Sequence, residues 1–215
     1  MRGFSDEERK RIREQLIRTG RELLLTYGPQ KTTVKDITDQ VGIAKPTFYQ
    51  FFDAKADIYL LILQRELDEF VERVRSELDG IEDARIGLER LFRCYAELAD
   101  ENPIIQQMVI QNNHQEFFHN VSTSTLETVQ REEMAKLAVL IEDLKSQSNG
   151  PLTDIDVATV LSLMAGTIGL LAVHKDDFEE YEAELTEYDE GMYNRLQNVL
   201  ISSLARGLTI ADPSD

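Results

Sequence analysis

Cysteine occurs once, at Cys94, and tryptophan not at all. A single thiol cannot close an intramolecular disulfide, so a disulfide-stapled scaffold is excluded. The opening run MRGFSDEERK lacks the apolar stretch of a secretory leader, and with the lone cysteine this predicts a cytoplasmic location. Catalytic chemistry is equally short of material. There are three histidines, His114, His119 and His174, with no glycine-rich phosphate loop, nucleophile elbow or H-E-x-x-H pair. His114 and His119, with Glu116 between them, are spaced by five residues, which does not stack two ligands on one helical face. Cys94 lies one turn from Leu91 and Leu98 and reads as a small buried hydrophobe. The expectation is no enzyme, no catalytic residue, no metal and no cofactor.

Basic residues are also scarce, 23 against 40 acidic ones, for a net charge of -17. The deficit is uneven. Residues 1–60 hold 11 Lys and Arg against 9 Asp and Glu, whereas residues 61–215 hold 12 against 31. A polyanion would attract the first segment, through Arg9, Lys10, Arg11, Arg13, Lys31, Lys35, Lys45 and Lys55, and be repelled by the rest. Such a chain favours docking by one end.

What is plentiful is helical periodicity. At 215 residues with 42% hydrophobic content, the chain can bury a small domain and a larger one. Ser5 with Glu8 forms a capping box, and Ile12, Leu16, Leu23 and Tyr27 share a face until Gly28 and Pro29. Further helices are predicted over about 54–78, 81–99, 104–111 and 123–146. In the second of these Leu88, Leu91, Phe92, Tyr95 and Leu98 point inward. Asp79-Gly80, Asn102-Pro103 and the loop Ser148-Asn149-Gly150-Pro151 punctuate them. No internal repeat stands out, and no period-two alternation suggests a sheet. The one biased tract is the acidic segment 176–190.

The densest pattern is TTVKDITDQVGIAKPTFYQFFDAK, residues 32–55. Thr33 with Asp36 is a capping-box pattern opening a short helix, and Gly42 ends it. Ile37, Val41, Ile43, Phe48 and Phe51 are spaced so that two helices joined at Gly42-Ile43 bury one core, as a helix-turn-helix requires. The second helix then presents Lys45, Thr47, Tyr49 and Gln50 outward. Double-stranded DNA is the partner this pattern predicts.

At Thr32, Thr33, Val34, Gly42, Ile43, Thr47, Phe48, Tyr49, Phe52 and Lys55 the chain resembles the TetR/AcrR family of one-component transcriptional repressors. The resemblance covers about the first 60 residues. Ala44 stands where the family usually has serine, removing a hydroxyl cap typically worth about 1 kcal/mol. Pro46 partly compensates, its fixed φ suiting a first helical turn. Ala54 and Ala56 replace the common Ser and Glu around Lys55. The resemblance implies an all-α protein in two domains, helix-turn-helix residues 1–53 and an effector-binding and dimerisation domain over 54–215. It implies a homodimeric, ligand-responsive repressor meeting a near-palindromic operator through Thr33, Lys45, Pro46, Thr47, Tyr49, Gln50 and Lys55. Two rivals are an adaptor that keeps the helix-turn-helix without sequence-specific DNA binding, and an enzyme hidden in the helical domain.

Residues 157–173 contain no charge. Seventeen residues fall short of the roughly 20 that cross a bilayer, so the expectation is no membrane span but a helix buried on several sides. Ser162/Gly166 and Ala165/Gly169 are small pairs that permit close helix approach. With Met192, Leu196, Val199, Leu200 and Leu204 on the last helix, they supply an isologous four-helix interface between two copies. Apolar candidates for a small-molecule effector pocket are Phe92, Tyr95, Met108, Phe117, Phe118, Met134, Leu137, Ile141, Met164 and Thr167. Their shortage of charge favours an elongated apolar ligand.

Overall fold

The computed structural model describes residues 4–107, 117–118, 123–184 and 191–210. Among the described residues the regular elements are helical and no strand occurs. In chain order they are α1 (Asp6–Lys31), α2 (Val34–Val41), α3 (Lys45–Phe48), α4 (Lys55–Leu78), α5 (Ala84–Glu101) and α6 (Pro103–Ile105). There follow α7 (Thr123–Ser146), a 3-10 turn (Pro151–Thr153) and α8 (Val157–Met164), continued by a π-helical turn (Ala165–Gly169) into α9 (Leu170–Val173). The last two are α10 (Lys175–Glu184) and α11 (Met192–Thr209).

Local sequence sets most boundaries. The Ser5 hydroxyl accepts the Glu8 N–H while the Glu8 carboxylate accepts the Ser5 N–H, starting α1. Gly28, at φ 76°, kinks that helix rather than ending it, and a further turn carries it to Lys31. Asp83 accepts the Ile86 N–H and so starts α5 at Ala84, three residues later than periodicity suggests. Asn102 accepts the N–H groups of Ile104 and Ile105. The helix expected over 104–111 is described only in its first turns, since 108–116 lie outside the described residues.

The chain divides into two compact units: the described residues of 1–66 and 112–130, and those of 67–111 and 131–215. The first half of α4 therefore packs with the N-terminal unit. There Leu16, Ile17, Ile37, Phe48, Ile58, Tyr59 and Ile62 are almost wholly buried, and each fully buried large apolar side chain contributes about 1.5–3 kcal/mol. Gly20 allows α1 to approach α4 closely, because a Cβ there would lie 2.7 Å from Ile58 Cγ2. Arg21 Nε meets the buried Glu66 carboxylate at 2.6 Å, and Arg65 binds both carboxylate oxygens of Glu14 at 2.8 Å.

In the second unit, α4 supplies Phe70, Val71 and Val74, and α5 supplies Leu88, Leu91, Phe92 and Tyr95. Against them pack Leu137, Ile141 and Leu144 of α7, Val160, Met164 and Ile168, and Ile201, Ala205 and Leu208 of α11. Gly150 is packed inward rather than looped out: a Cβ there would fall 2.4 Å from the Thr209 carbonyl carbon. Glu182 accepts the N–H groups of Gly191 and Met192, capping α11. Tyr193 donates to Asp100 at 2.5 Å, and Gln197 donates to the other oxygen of the same carboxylate at 3.0 Å.

The stretch 157–173 is helical, interrupted by the π turn, and buries one side within this chain. Ala158, Ser162, Ala165, Gly166, Leu170 and Val173 are exposed on this chain, while Val160, Leu161, Met164 and Ile168 face the core. Among the described residues no single helix is long and apolar enough to cross a membrane.

Candidate nucleic-acid interface

The Thr33 hydroxyl accepts the Asp36 N–H at 3.2 Å and donates to the Asp36 carboxylate at 2.7 Å, and the carboxylate also accepts the Thr33 N–H at 2.8 Å. These bonds hold the Asp36 carboxyl below its ordinary range. Gly42, at φ 78°, closes α2 in the left-handed conformation, and the N–H groups of Gly42 and Ile43 both donate to the Thr38 carbonyl. The turn fixes the entry to α3, whose N-cap Ala44 makes no side-chain cap.

Only four residues of α3 are regularly helical, after which the N–H groups of Gln50 and Phe51 bond back to the carbonyls of Thr47 and Phe48. Phe48 is fully buried. Opposite it Lys45, Pro46, Tyr49 and Gln50 are exposed, Tyr49 at 51%, and Thr47 is half-buried. Phe52, not Phe51, completes the core, its ring 5.7 Å from Phe48. Phe51 is half-buried and lies on the α1 side, 6.2 Å from Phe4 and 5.0 Å from the Arg9 guanidinium. Arg9 also donates to the Gln50 carbonyl at 3.1 Å, and Arg13 lies 5.3 Å over Phe52. Arg9 and Arg13 thus brace the end of the recognition helix, a role their sequence positions do not announce.

Two of the expected DNA contacts have prior commitments. Thr33 spends its hydroxyl proton on Asp36. Lys55 directs its ammonium at the carbonyls of Pro29 and Thr32, 2.5 and 2.7 Å away, and burial lowers its pKa. One turn on, the Tyr59 hydroxyl is buried with no hydrogen-bond partner among the described residues. Burial pushes it up to about 12, the neighbouring Thr32 hydroxyl opposing that rise without reaching hydrogen-bond geometry. Lys35 is exposed and paired with Asp39 on α2, which raises its pKa.

The effector candidates separate. Phe92, Tyr95, Leu137, Ile141 and Met164 join one buried cluster in the second unit. Phe117 and Phe118 are buried in the first, with Phe117 6.0 Å from Tyr59. Met134 is half-exposed at 50%, and Met108 lies outside the described residues. Thr167 sits in the π-helical turn, its hydroxyl bonded to the Leu163 carbonyl. The extra residue of that turn is seated where Gly169 faces Tyr95, since a Cβ there would lie 2.8 Å from the Tyr95 hydroxyl. Cys94 is buried and its thiol is pushed up to about 11, chiefly by that burial. Among the described residues no three His, Cys, Asp or Glu side chains gather to hold a metal ion; His114, Glu116 and His119 lie outside them.

Residues 16–62 match the model for bacterial regulatory proteins of the tetR family. The HTH-type transcriptional activator FasR of Mycolicibacterium smegmatis is 28% identical over 102 residues, 47% of this chain and 47% of that protein. The match therefore spans about half the length of this curated relative. A TetR-family transcriptional regulator from Pectobacterium atrosepticum superposes with a TM-score of 0.63 and 22% identity, covering 96% of this chain and 98% of that one. The regulator FadR from Bacillus subtilis, solved in complex with stearoyl-CoA, gives 0.60 and 18% over 90% and 98%. These likenesses carry the fold across nearly the whole chain, while the matched segment contains α2, the Gly42 turn and α3. The segment that holds α2, the Gly42 turn and α3 is thus similar to the tetR family of bacterial regulatory proteins, and the fold as a whole is similar to that of solved TetR-family regulators.

Proposed function

We propose that the chain is a homodimeric transcriptional repressor that grips a near-palindromic operator and is released by an apolar small molecule. The observation that carries the DNA-binding reading is α3: Lys45, Tyr49 and Gln50 stand exposed on a helix whose other side is fixed by the fully buried Phe48. Gln50 reads a base edge, Tyr49 and Thr47 line the groove, and Lys45 meets phosphate. Thr33, exposed at the start of α2, is bonded to Asp36, and Lys55, half-buried at the start of α4, is bonded to two backbone carbonyls.

Dimerisation through α8, the π turn, α9 and α11 is supported by the solvent-facing apolar and small residues there, including Ala165, Gly166, Leu170, Val173, Leu196 and Val199, the last at 63% exposure. Two recognition helices then enter successive major-groove faces, about 34 Å apart. An elongated apolar effector is supported by the uncharged character of the buried cluster that holds Phe92, Tyr95, Leu137, Ile141 and Met164. The stearoyl-CoA bound to the structurally similar FadR favours the same ligand chemistry.

Titration with duplexes from the protein's own promoter region tests the central reading. The wild type is expected to form a salt-sensitive, sequence-selective complex. Gln50→Ala should weaken it by about 1–3 kcal/mol, an effect that vanishes once the base pair read by Gln50 is changed. Uniform weakening on every sequence, or none, contradicts that assignment.

Gly166 has open space around its Cα, with nothing within 4 Å of a built Cβ. Leucine is therefore accommodated inside one subunit and obstructs only a partner. Gly166→Leu should leave circular dichroism unchanged, give a monomer by light scattering and lose operator affinity. A stable Gly166→Leu dimer refutes this interface.

Effector action requires reciprocity, because a ligand that weakens operator binding tenfold has its own affinity lowered tenfold by operator, about 1.4 kcal/mol either way. Long-chain acyl thioesters found by thermal shift should bind less tightly in the presence of operator DNA. Binders indifferent to operator contradict release by effector.

A further inference from the structure

Lys55 opens α4, and its ammonium is held by two backbone acceptors, the carbonyl oxygens of Pro29 at 2.5 Å and Thr32 at 2.7 Å. Both acceptors come from the end of α1, where a helix leaves carbonyls without internal partners. Thr33, the residue after the second acceptor, is the N-cap of α2. The lysine therefore joins three elements at one atom: the last turn of α1, the first turn of α4 and the start of α2.

Neighbouring groups confine that atom. The Tyr59 ring lies 5.5 Å from Nζ, and Phe117 meets the same ring edge-on. Asp57 turns back to accept the N–H groups of Asp53 and Ala54 at 2.9 and 2.8 Å, fixing the chain where α4 begins. Burial depresses the lysine's pKa, with no acidic side chain opposing the shift. Turning this ammonium toward a phosphate would strip two partly buried carbonyls of their donor, which carries the cost of unsatisfied polar groups. Lys45, exposed at the start of α3, meets no such obstacle.

We propose that Lys55 is a positioning residue for DNA recognition: it clamps the α1–α2 junction to α4 and thereby sets the orientation of the reading head, without itself contacting a phosphate. The proposal rests on the DNA-binding reading above. It differs from a phosphate contact in a measurable way. Each phosphate neutralised steepens the dependence of log K on log salt by about 0.9, whereas a clamp adds nothing to that slope. A clamp instead governs discrimination, because base contacts demand alignment that backbone attraction does not.

Binding of a selected operator and of a scrambled duplex, measured across a salt series, separates the two roles. Lys45→Ala, which removes one phosphate contact from each of the two subunits, is expected to flatten the operator slope by about 1.8. Lys55→Met is expected to keep the slope while the operator-to-scrambled affinity ratio falls at least tenfold, with circular dichroism and dimer mass unchanged. A flattened slope with discrimination retained overturns the clamp. Reductive methylation of the wild-type protein, mapped by mass spectrometry, decides the matter even if Lys55→Met fails to fold. Lys55 should react much more slowly than Lys45 in free protein, and operator should protect Lys45 alone. A Lys55 that reacts as fast as Lys45 and is protected by operator overturns the proposal. Wild-type protein that cannot tell operator from scrambled duplex overturns the DNA reading itself, while the free-protein methylation rates still report on the clamp.

Discussion

The recognition helix cannot stand by itself, and the N-terminal unit is arranged to hold it. Four regular residues with no side-chain cap at Ala44 fall far below the length at which a helix is stable in water. Its conformation is imposed from outside. Phe48 and Phe52 are buried in the N-terminal core, Pro46 presets its first turn, and Arg9 takes up the Gln50 carbonyl at its far end. Every exposed group on α3 thus owes its direction to residues elsewhere in sequence, and the same dependence gives Lys55 its importance.

Charge distribution reinforces this division of labour. The acidic excess is concentrated beyond residue 60, so a polyanion would be attracted by the first 60 residues and repelled by the remainder. The surface pairs that were seen, such as Arg65 with Glu14 and Arg90 with Glu77, are partly exposed and individually worth little. Their value lies in registering helices whose cores are already buried.

Local chemistry made much of this legible. The capping boxes at Ser5 and Thr33, the left-handed Gly42 and the buried Phe48 each depend on residues within four positions of one another, and all appear as the pattern implies. Where regular periodicity failed, the backbone had left the ideal α-helix. Phe51 and Phe52 exchange places because the chain after Phe48 proceeds through tight turns, and the single helix expected over 157–173 is interrupted by the π turn after Met164. The internal bonds of Lys55 could not be read for another reason: its acceptors lie 23 and 26 residues away and are backbone atoms. Such a partnership leaves no side-chain signature. Met134, apolar yet half-exposed, shows that hydrophobic character alone does not nominate a pocket wall.

The central claim is that two copies of α3 read one DNA site together. Selection from a random duplex pool followed by hydroxyl-radical footprinting of the winner tests it most directly. The account predicts an inverted repeat with half-site centres about 10 bp apart or a multiple of that, and protections on one face of the duplex. Failure to enrich any sequence, or enrichment of a single unrepeated element bound by one subunit, would contradict it.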